Sequence, residues 1–365
     1  MIPFFGVARQ YANLREQILD TTDRVLTTGQ MLDGPYVEEF EAAMARRCDR
    51  QFAIAVNSCT QALVMALGPI SRPAGDHNVL IPALGFAATV NSVVMTKSVP
   101  VFCDVDRNGL MDLESMDSTM TSGGIRTIMY SNLFGNTVDY DRFQVISQFF
   151  NNSDVVIIED AAQSFGARYQ GIPSGKLGHI SALSFDPTKN LNNYGSGGML
   201  LTDDHSLAMM FKRLRNNGRW GEYCGTNSRM SESDCAQMLV KLQHFDAWQE
   251  RRQEIAEYYL GELDGYVDLL PPNVGVDHAW SKFVIRSSER QQILEALDDA
   301  GVETRIHYDV PLSELQLSRS YATVSPTDFC EAQAFSIECL SLPIYPELND
   351  SEVEVIVTTI QRCLR

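Results

Sequence analysis

Residues 155–163 read Val-Val-Ile-Ile-Glu-Asp-Ala-Ala-Gln, an apolar run that ends at two acids and is soon followed by an amide. A short apolar run without alternation is typical of a strand that is buried on both faces of a sheet. Such a strand would deliver Asp160 to its carboxyl end, where parallel sheets bind their ligands. Taken alone, an acid at this position is more often a helix cap or a turn former.

Similar apolar runs recur on both sides of this segment, each followed by a polar turn and a helix-like stretch. They occupy residues 52–56, 79–81, 99–102, 127–130 and 181–185. The alternation of such strands with helices predicts an α/β domain built on a largely parallel sheet. Right-handed crossovers would then align the carboxyl ends of the strands along one edge.

The pattern changes after about residue 230. Residues 233–260 form a long helical stretch, whose apolar stripe we interpret as core or interface packing rather than ligand contact. A Pro271-Pro272 loop then indicates a smaller second domain. We expect a large domain over residues 1–250 and a small C-terminal domain over residues 251–365, with the N-terminal segment able to pack on the small domain.

The charge balance excludes some classes of partner. The chain of 365 residues has 29 basic and 47 acidic residues, a formal net charge of −18. Such a balance argues against sequence-independent nucleic-acid binding and against docking on anionic membranes. A small anionic substrate remains compatible with it, because a local basic patch can act inside an acidic envelope.

Cysteine and histidine usage indicates neither a disulfide framework nor a metal site. The eight cysteines are scattered without a CxxC pair, which is typical of reduced, cytoplasmic thiols in a chain of this length. The six histidines form neither HExxH nor a Cys/His cluster, so no metal is expected. No apolar run approaches the ~18 residues of a spanning helix, and no export signal is recognisable.

Two further motifs contain residues that could act in catalysis or ligand binding. Ser184-Phe-Asp-Pro-Thr-Lys189 follows a predicted strand, although a lone lysine there is usually solvated. Asn57-Ser-Cys-Thr60 joins a strand end to a helix start, where free backbone N–H groups bind phosphate; simple N-capping explains these residues equally well. With Asp160, they meet the needs of pyridoxal phosphate (PLP), namely an amine, an acid facing the pyridine nitrogen and a phosphate cup.

In their order and spacing these motifs resemble the DegT/DnrJ/EryC1/StrS family of PLP-dependent, fold type I sugar aminotransferases. The resemblance runs nearly end to end, and its segments are residues 28–35, 37–41, 57–63, 82–89, 101–106, 159–167, 184–189, 195–198, 227–230 and 340–343. It implies a large domain with a mostly parallel, seven-stranded sheet between helices, plus a smaller C-terminal α/β domain.

The resemblance also implies roles for individual residues. Lys189 would bind PLP covalently and move protons, Asp160 would pair with the pyridine nitrogen, Gln163 would approach the 3-oxygen of the ring, and Phe86 would stack on the ring. The phosphate would be held by residues at strand ends and a helix start, namely Ser58, Cys59, Thr60 and Ser184. Asn227 would reach the phosphate bound by the neighbouring subunit, which requires a homodimer.

Candidate substrate contacts under the same resemblance are Arg229, Arg219 and His307. Arg229 is equally interpretable as a salt-bridge residue, and the basic stretch that includes Arg219 as a solvated helix face. The sequence departs from the family pattern at three positions, with Cys59 for the usual Gly, Asp186 for a common His and Ser196 for the usual Glu. None of these removes a group that transamination needs.

The implied activity is transfer of an amino group from L-glutamate to a nucleotide-linked keto-sugar. We expect a dTDP-, UDP- or GDP-4-keto-6-deoxyhexose aminated at C4, or else at C3, for amino-sugar and polysaccharide or O-antigen biosynthesis in the cytoplasm. Two alternatives stay open: a different keto substrate such as a cyclitol, and a catalytically silent regulator on the same fold. Lys189 argues against the dehydratase relatives, which carry His at that position.

Overall fold

The computed structural model describes residues 1–70, 77–121, 124–149, 155–218, 224–321 and 329–365. Its strands, in chain order, are β1 (Phe52–Val56), β2 (Asn78–Pro82), β3 (Val99–Cys103), β4 (Ile125–Ser131), β5 (Val156–Asp160), β6 (Arg168–Tyr169), β7 (Ile172–Pro173), β8 (Ile180–Ser184), β9 (Gly198–Thr202), β10 (Asp268–Leu269), β11 (Val276–Asp277), β12 (Phe283–Arg286) and β13 (Cys339–Leu342).

The helices follow the strands in alternation through the first part of the chain. They are α1 (Val7–Thr28), α2 (Pro35–Arg47), α3 (Cys59–Leu67), α4 (Ala88–Met95), α5 (Leu113–Thr121), α6 (Tyr140–Phe149), α7 (His205–Leu214), α8 (Glu232–Leu242), α9 (Phe245–Glu262), α10 (Arg290–Asp299), α11 (Gln316–Tyr321), α12 (Cys330–Glu338) and α13 (Asp350–Cys363). Within the described residues, none of these helices combines the length and apolar character that crossing a membrane needs.

The central sheet has seven strands in the order β1-β9-β8-β5-β4-β2-β3. The pairs among β8, β5, β4, β2 and β3 are parallel, whereas β9 runs antiparallel to both of its neighbours, β1 and β8. The six predicted strands and the mostly parallel α/β architecture are confirmed. The sequence analysis did not predict the antiparallel strand β9, which follows the glycine-rich turn and completes the sheet.

Hydrophobic residues cover both faces of this sheet. Leu80 and Tyr130 belong to a core cluster with α5 and α6 on one face. Val79, Ile81 and Met129, which neighbour them in the same strands, pack on the opposite face with α3, α4 and α7. Successive residues of a strand point to opposite faces, so the unbroken apolar runs of the sequence correspond to burial on both sides.

A three-stranded sheet in the order β10-β12-β13 forms near the C-terminus and packs with α10 and α13. The N-terminus joins it, because Ile2 pairs with Val302 and belongs to the same core cluster. Helix α9 continues across residue 250, where the sequence predicts the division between the two domains, and β10 precedes the Pro271-Pro272 loop. The bounds of the two domains stay a prediction.

The helical stretch predicted over residues 233–260 is two helices rather than one. Helix α8 ends at Leu242 and α9 begins at Phe245. The amide of His244 donates a hydrogen bond of 3.0 Å to the carbonyl of Lys241, which forms a tight turn between the helices. The fully buried ring of Phe245 follows this turn and packs against Phe165. The apolar stripe itself is core: Met238 and Phe245 are buried in one cluster and Ile255 in another.

Candidate active site

A cavity of about 410 Å³ opens at the edge of the central sheet where β1, β5 and β8 end. Nine of the predicted site residues line it, although they come from five separate segments of the chain. They are Ser58, Cys59, Thr60, Phe86, Asp160, Gln163, Ser184, Lys189 and His307.

Asp160 is the buried acid of this cavity. It is the last residue of β5 and only 7% exposed. Its Oδ2 accepts hydrogen bonds from Thr89 Oγ1 (3.2 Å) and Ser131 Oγ (3.3 Å), and its Oδ1 accepts one from the Ala162 amide (3.2 Å). Burial raises the pKa of Asp160, while these donors and the charge of Lys189 oppose the rise. Neutral groups thus orient a carboxylate toward the cavity.

Gln163 fixes the wall beside Asp160. Its Oε1 accepts a hydrogen bond from the Phe134 amide (3.1 Å), and its Nε2 donates one to the Tyr308 hydroxyl (2.7 Å). The ring of Phe86 lies 6.2 Å from that of Tyr308 and is 57% exposed at the cavity. An apolar ring so accessible on a cavity wall has room to stack on a flat ligand.

The start of helix α3 provides an anion-binding surface. Ser58 is its N-cap, and its hydroxyl accepts a hydrogen bond from the Gln61 amide at 3.1 Å. The first amides of a helix have no acceptor within the helix, so those of Cys59 and Thr60 are available to a phosphate at its positive end. Ser184, at the end of β8, adds a hydroxyl to the same cavity.

Gly198 allows β9 to approach this helix start. A Cβ at position 198 would lie 2.4 Å from the carbonyl carbon of Ser58 and 2.5 Å from the amide nitrogen of Cys59. Real Cβ atoms essentially never come so close to backbone atoms, and only glycine fits. Glycine at position 198 is therefore a packing requirement of the site.

Lys189 stands in the loop that follows β8. Its amide bonds the Asp186 carbonyl at 3.0 Å, and the Asp186 carboxylate accepts hydrogen bonds from the amide (3.0 Å) and the hydroxyl (2.6 Å) of Thr188. Asp186 thus shapes the turn that carries Lys189 into the cavity. The acid at this position, a departure from the pattern of the family that the sequence resembles, therefore has a structural role in the turn.

Some predicted residues lie elsewhere. Asn227 is exposed and does not line the cavity of its own chain. Arg229 pairs with Asp33 (2.9 Å) and donates to Asn227 Oδ1 (3.3 Å), as its salt-bridge interpretation anticipates. Arg219 falls outside the described residues. A contact of Asn227 or Arg229 with a neighbouring subunit's cavity stays a prediction.

Other cavity residues are missing from our sequence-based list. Phe5 comes from the N-terminal segment, Ser131 from the end of β4, and Lys282 and Arg305 from the C-terminal part of the chain. Of these residues, only Lys282 has a feature in the sequence that could have singled it out, namely a charge directly before the apolar strand β12. Within the part of the chain that the structure describes, no group of three or more His, Cys, Asp and Glu side chains is arranged to hold a metal.

Comparison with known proteins decides the family. The profile of the DegT/DnrJ/EryC1/StrS aminotransferase family matches residues 12–361. The chain belongs to this family. The DegT/DnrJ/EryC1/StrS enzymes are PLP-dependent aminotransferases, and so is this protein.

Individual relatives match the chain over its full length. The erythromycin biosynthesis sensory transduction protein EryC1 of Saccharopolyspora erythraea is 34% identical, with 99% of each chain covered. The dTDP-3-amino-3,4,6-trideoxy-alpha-D-glucose transaminase of Streptomyces venezuelae is 32% identical, with 99% of this chain and 95% of that protein covered. The crystal structure of DesV from S. venezuelae superposes with a TM-score of 0.93 at 31% identity, covering 100% of this chain and 99% of that one.

The cavity of this DegT/DnrJ/EryC1/StrS protein fits PLP on its own donor set. One amine and one buried carboxylate, Lys189 and Asp160, face the same space. The start of α3 supplies amides for a phosphate, and Phe86 supplies an apolar ring. These are the groups that this cofactor requires of its protein.

Proposed function

We propose that this aminotransferase moves an amino group from L-glutamate to a nucleotide-linked keto-sugar, a dTDP-, UDP- or GDP-linked 4-keto-6-deoxyhexose or a related 3-keto-sugar. The observation that carries the proposal is the shared cavity of Lys189, Asp160 and the start of α3. The S. venezuelae relative is named for a 3-amino sugar. We therefore place amination at C3 first and at C4 second, the reverse of the order expected from the sequence.

Each cavity residue has a defined task in this proposal. When bound, PLP supplies an electron sink for the bond that breaks at the amino-bearing carbon. Lys189 would hold the cofactor through its amine and, once the amino donor has displaced it, would take the proton that leaves the amino-bearing carbon. Asp160 would accept a hydrogen bond from the ring nitrogen and would keep that nitrogen protonated. The amides of Cys59 and Thr60 would bind the phosphate, while Phe86 would cover the ring and exclude water from one face.

The proposal includes a cytoplasmic homodimer with shared active sites. Asn227 of each subunit would then reach the phosphate bound by the other. Supporting this, Asn227 is exposed and lies outside the cavity of its own chain, while Arg229 orients it through Oδ1. All eight cysteines are free, as thiols are in a reducing compartment.

A silent regulator is the second candidate, favoured by the name of the EryC1 relative as a sensory transduction protein. Against it, a protein without catalysis has no need for both a cavity lysine and a buried acid held by two hydroxyl donors. The two candidates differ in one observable, namely whether the protein-bound cofactor reacts with an amino donor.

The test is the visible absorption spectrum of the purified protein with PLP, before and after addition of L-glutamate. A yellow band that bleaches is expected, and a panel of nucleotide-linked 3-keto and 4-keto sugars should then restore it. Restoration by a cyclitol ketone alone would replace the sugar assignment. If the protein takes up PLP but no amino donor bleaches the yellow band, the regulator becomes the first candidate.

A further inference from the structure

A second lysine, Lys282, reaches the cavity from the C-terminal part of the chain. It directly precedes β12, is only 4% exposed, and lines the same space as Lys189. Its Nζ donates hydrogen bonds to the carbonyl oxygens of Thr188 (3.2 Å) and Ser281 (3.1 Å), and it lies 5.1 Å from the centre of the Phe5 ring. The mechanism described above does not use this amine.

The surroundings of Lys282 lack a negative partner. An ammonium group has three N–H donors, and two of them meet uncharged carbonyl oxygens. Among the residues that the structure describes, no carboxylate forms an ion pair with Nζ. Burial and the charges of Lys189 and Arg252 lower the pKa of Lys282 well below its usual value, against the attraction of Asp186. A ligand anion would supply both the missing acceptor and the missing charge.

Arg305 adds a second cation to this wall. It lines the cavity with its side chain 53% exposed; one guanidinium nitrogen donates to the Thr304 carbonyl at 2.9 Å, and another is 3.7 Å from Glu303. His307 beside it is neutral, since burial and the nearby positive charges lower its pKa to about 3. Arg305 therefore carries the positive charge of this wall in a strongly acidic chain, and an anion bound beside it would favour the charged form of Lys282 as well.

We propose that Lys282 and Arg305 form an anion subsite, which binds a carboxylate or phosphate group of a substrate. The inference rests on the proposed function and deepens it, because both substrates in that proposal carry such a group: the carboxylates of the amino donor and the diphosphate of the nucleotide. Lys241 provides the contrast. It is equally buried, but its Nζ donates to the Asn192 carbonyl (2.8 Å), lies 3.5 Å from the Tyr194 ring centre, and does not line the cavity.

The experiment uses the PLP-loaded protein, whose phosphate cup is already occupied, and measures anion binding by titration calorimetry. Two probes separate the two sources of the anion. Glutarate is a dicarboxylate of the length of glutamate without its amine, and inorganic pyrophosphate represents the diphosphate. The variants are Lys282→Met, Lys282→Arg and Arg305→Met. Lys97→Met is the matched control, because Lys97 is exposed and lies just before β3, at the amino edge of the sheet.

Lys282→Met is expected to weaken binding of one probe by about tenfold to a hundredfold, the effect of losing a charged hydrogen bond. Lys282→Arg should retain most of the affinity, Arg305→Met should weaken the same probe, and Lys97→Met should match the wild type. Loss of glutarate binding assigns the subsite to the amino donor, and loss of pyrophosphate binding assigns it to the nucleotide.

Unchanged binding of both probes in Lys282→Met and Arg305→Met overturns the inference, as does a wild-type protein that binds neither anion. If Lys282→Met fails to fold, Arg305→Met alone decides, because that side chain is half-exposed. The proposed function fails separately: a protein that binds an anion through Lys282 but aminates none of the keto-sugars keeps its subsite and loses the sugar assignment.

Discussion

Gln163 Nε2 donates a hydrogen bond of 2.7 Å to the hydroxyl of Tyr308, which joins two segments that are 145 residues apart in the sequence. The other end of the same amide accepts the buried Phe134 N–H at 3.1 Å. One side chain thus connects the loop after β4, the loop after β5 and the segment after α10. These loops form adjacent parts of the cavity wall, so Gln163 orients the wall as well as lining the cavity.

The two bonds of Gln163 differ in what their loss would cost. Tyr308→Phe removes one acceptor and should lower the free energy of unfolding by about 1 kcal/mol. Gln163→Leu also leaves the buried Phe134 amide without a partner and should cost about 2–4 kcal/mol. Urea unfolding of both variants, of the double variant and of the exposed control Tyr321→Phe measures the coupling. Strict additivity of the two changes would contradict a direct bond.

Lys189, rather than Lys282, should carry the cofactor. Lys189→Ala should reduce transamination by roughly 10³-fold because its amine both holds PLP and moves the proton, while the fold persists. Borohydride reduction followed by peptide mass analysis should find the cofactor on the peptide that contains Lys189. Lys282→Met should still be labelled there. Turnover of Lys189→Ala near that of the wild type would refute the assignment.

Asp160→Asn should separate activity from stability. The activity should fall by roughly a hundredfold or more, since the neutral amide no longer keeps the ring nitrogen protonated. Stability should change in the opposite direction, because burial raises the pKa of Asp160 above its ordinary value of 3.8. A carboxyl whose pKa is raised by folding destabilises the native state at neutral pH, and this penalty vanishes as the pH falls below 3.8.

The measurement is thermal unfolding of the cofactor-free protein from pH 7 down to pH 4. Asp160→Asn should unfold at a higher temperature than the wild type at pH 7, with the difference narrowing toward pH 4. Asp264→Asn, at an exposed carboxylate in the turn after α9, is the control and should show little change. A difference that widens on acidification would mean that the carboxylate stabilises the fold.

Gly198→Ala should disrupt the phosphate cup through the backbone. The added methyl would collide with the carbonyl carbon of Ser58 and the amide of Cys59, so β9 and the start of α3 must separate. We expect a loss of about 1–3 kcal/mol in stability and a marked loss of PLP affinity, measured by absorbance titration. Gly261→Ala is the matched control. Nothing lies within 4 Å of its added methyl, and Ala in helix α9 should leave stability unchanged or raise it by up to about 1 kcal/mol.

The proposed homodimer with shared active sites predicts complementation between two inactive variants. Lys189→Ala and Asn227→Ala homodimers are mixed under conditions that exchange subunits. If Asn227 serves the neighbouring cavity, one site of each hybrid dimer has both residues intact, so activity should return to about a quarter of the wild-type value. A mixture that stays inactive would place Asn227 in the site of its own chain, and an active Asn227→Ala homodimer would remove it from the site.

The strands of the central sheet and the residues that follow them are determined by local amino-acid patterns. The apolar runs predicted six of the seven strands of the central sheet because residues buried on both faces need no polar alternation. Asp160 and Lys189 could be selected because each follows such a run, and the carboxyl ends of parallel strands must meet at one edge. These predictions depend only on residues a few positions apart, whose order can be read from the sequence directly.

The rest of the cavity depends on contacts between residues far apart in the chain. The antiparallel strand β9 enters between β1 and β8 because Gly198 permits a close backbone approach, which sequence spacing does not encode. Lys282 and Arg305 reach Lys189 only because their segments pack across the edge of the central sheet. No local pattern distinguishes a lysine that will be buried against a distant carbonyl from one that will be solvated. The sequence by itself therefore determined the cofactor chemistry, and the tertiary structure decided which charges surround it.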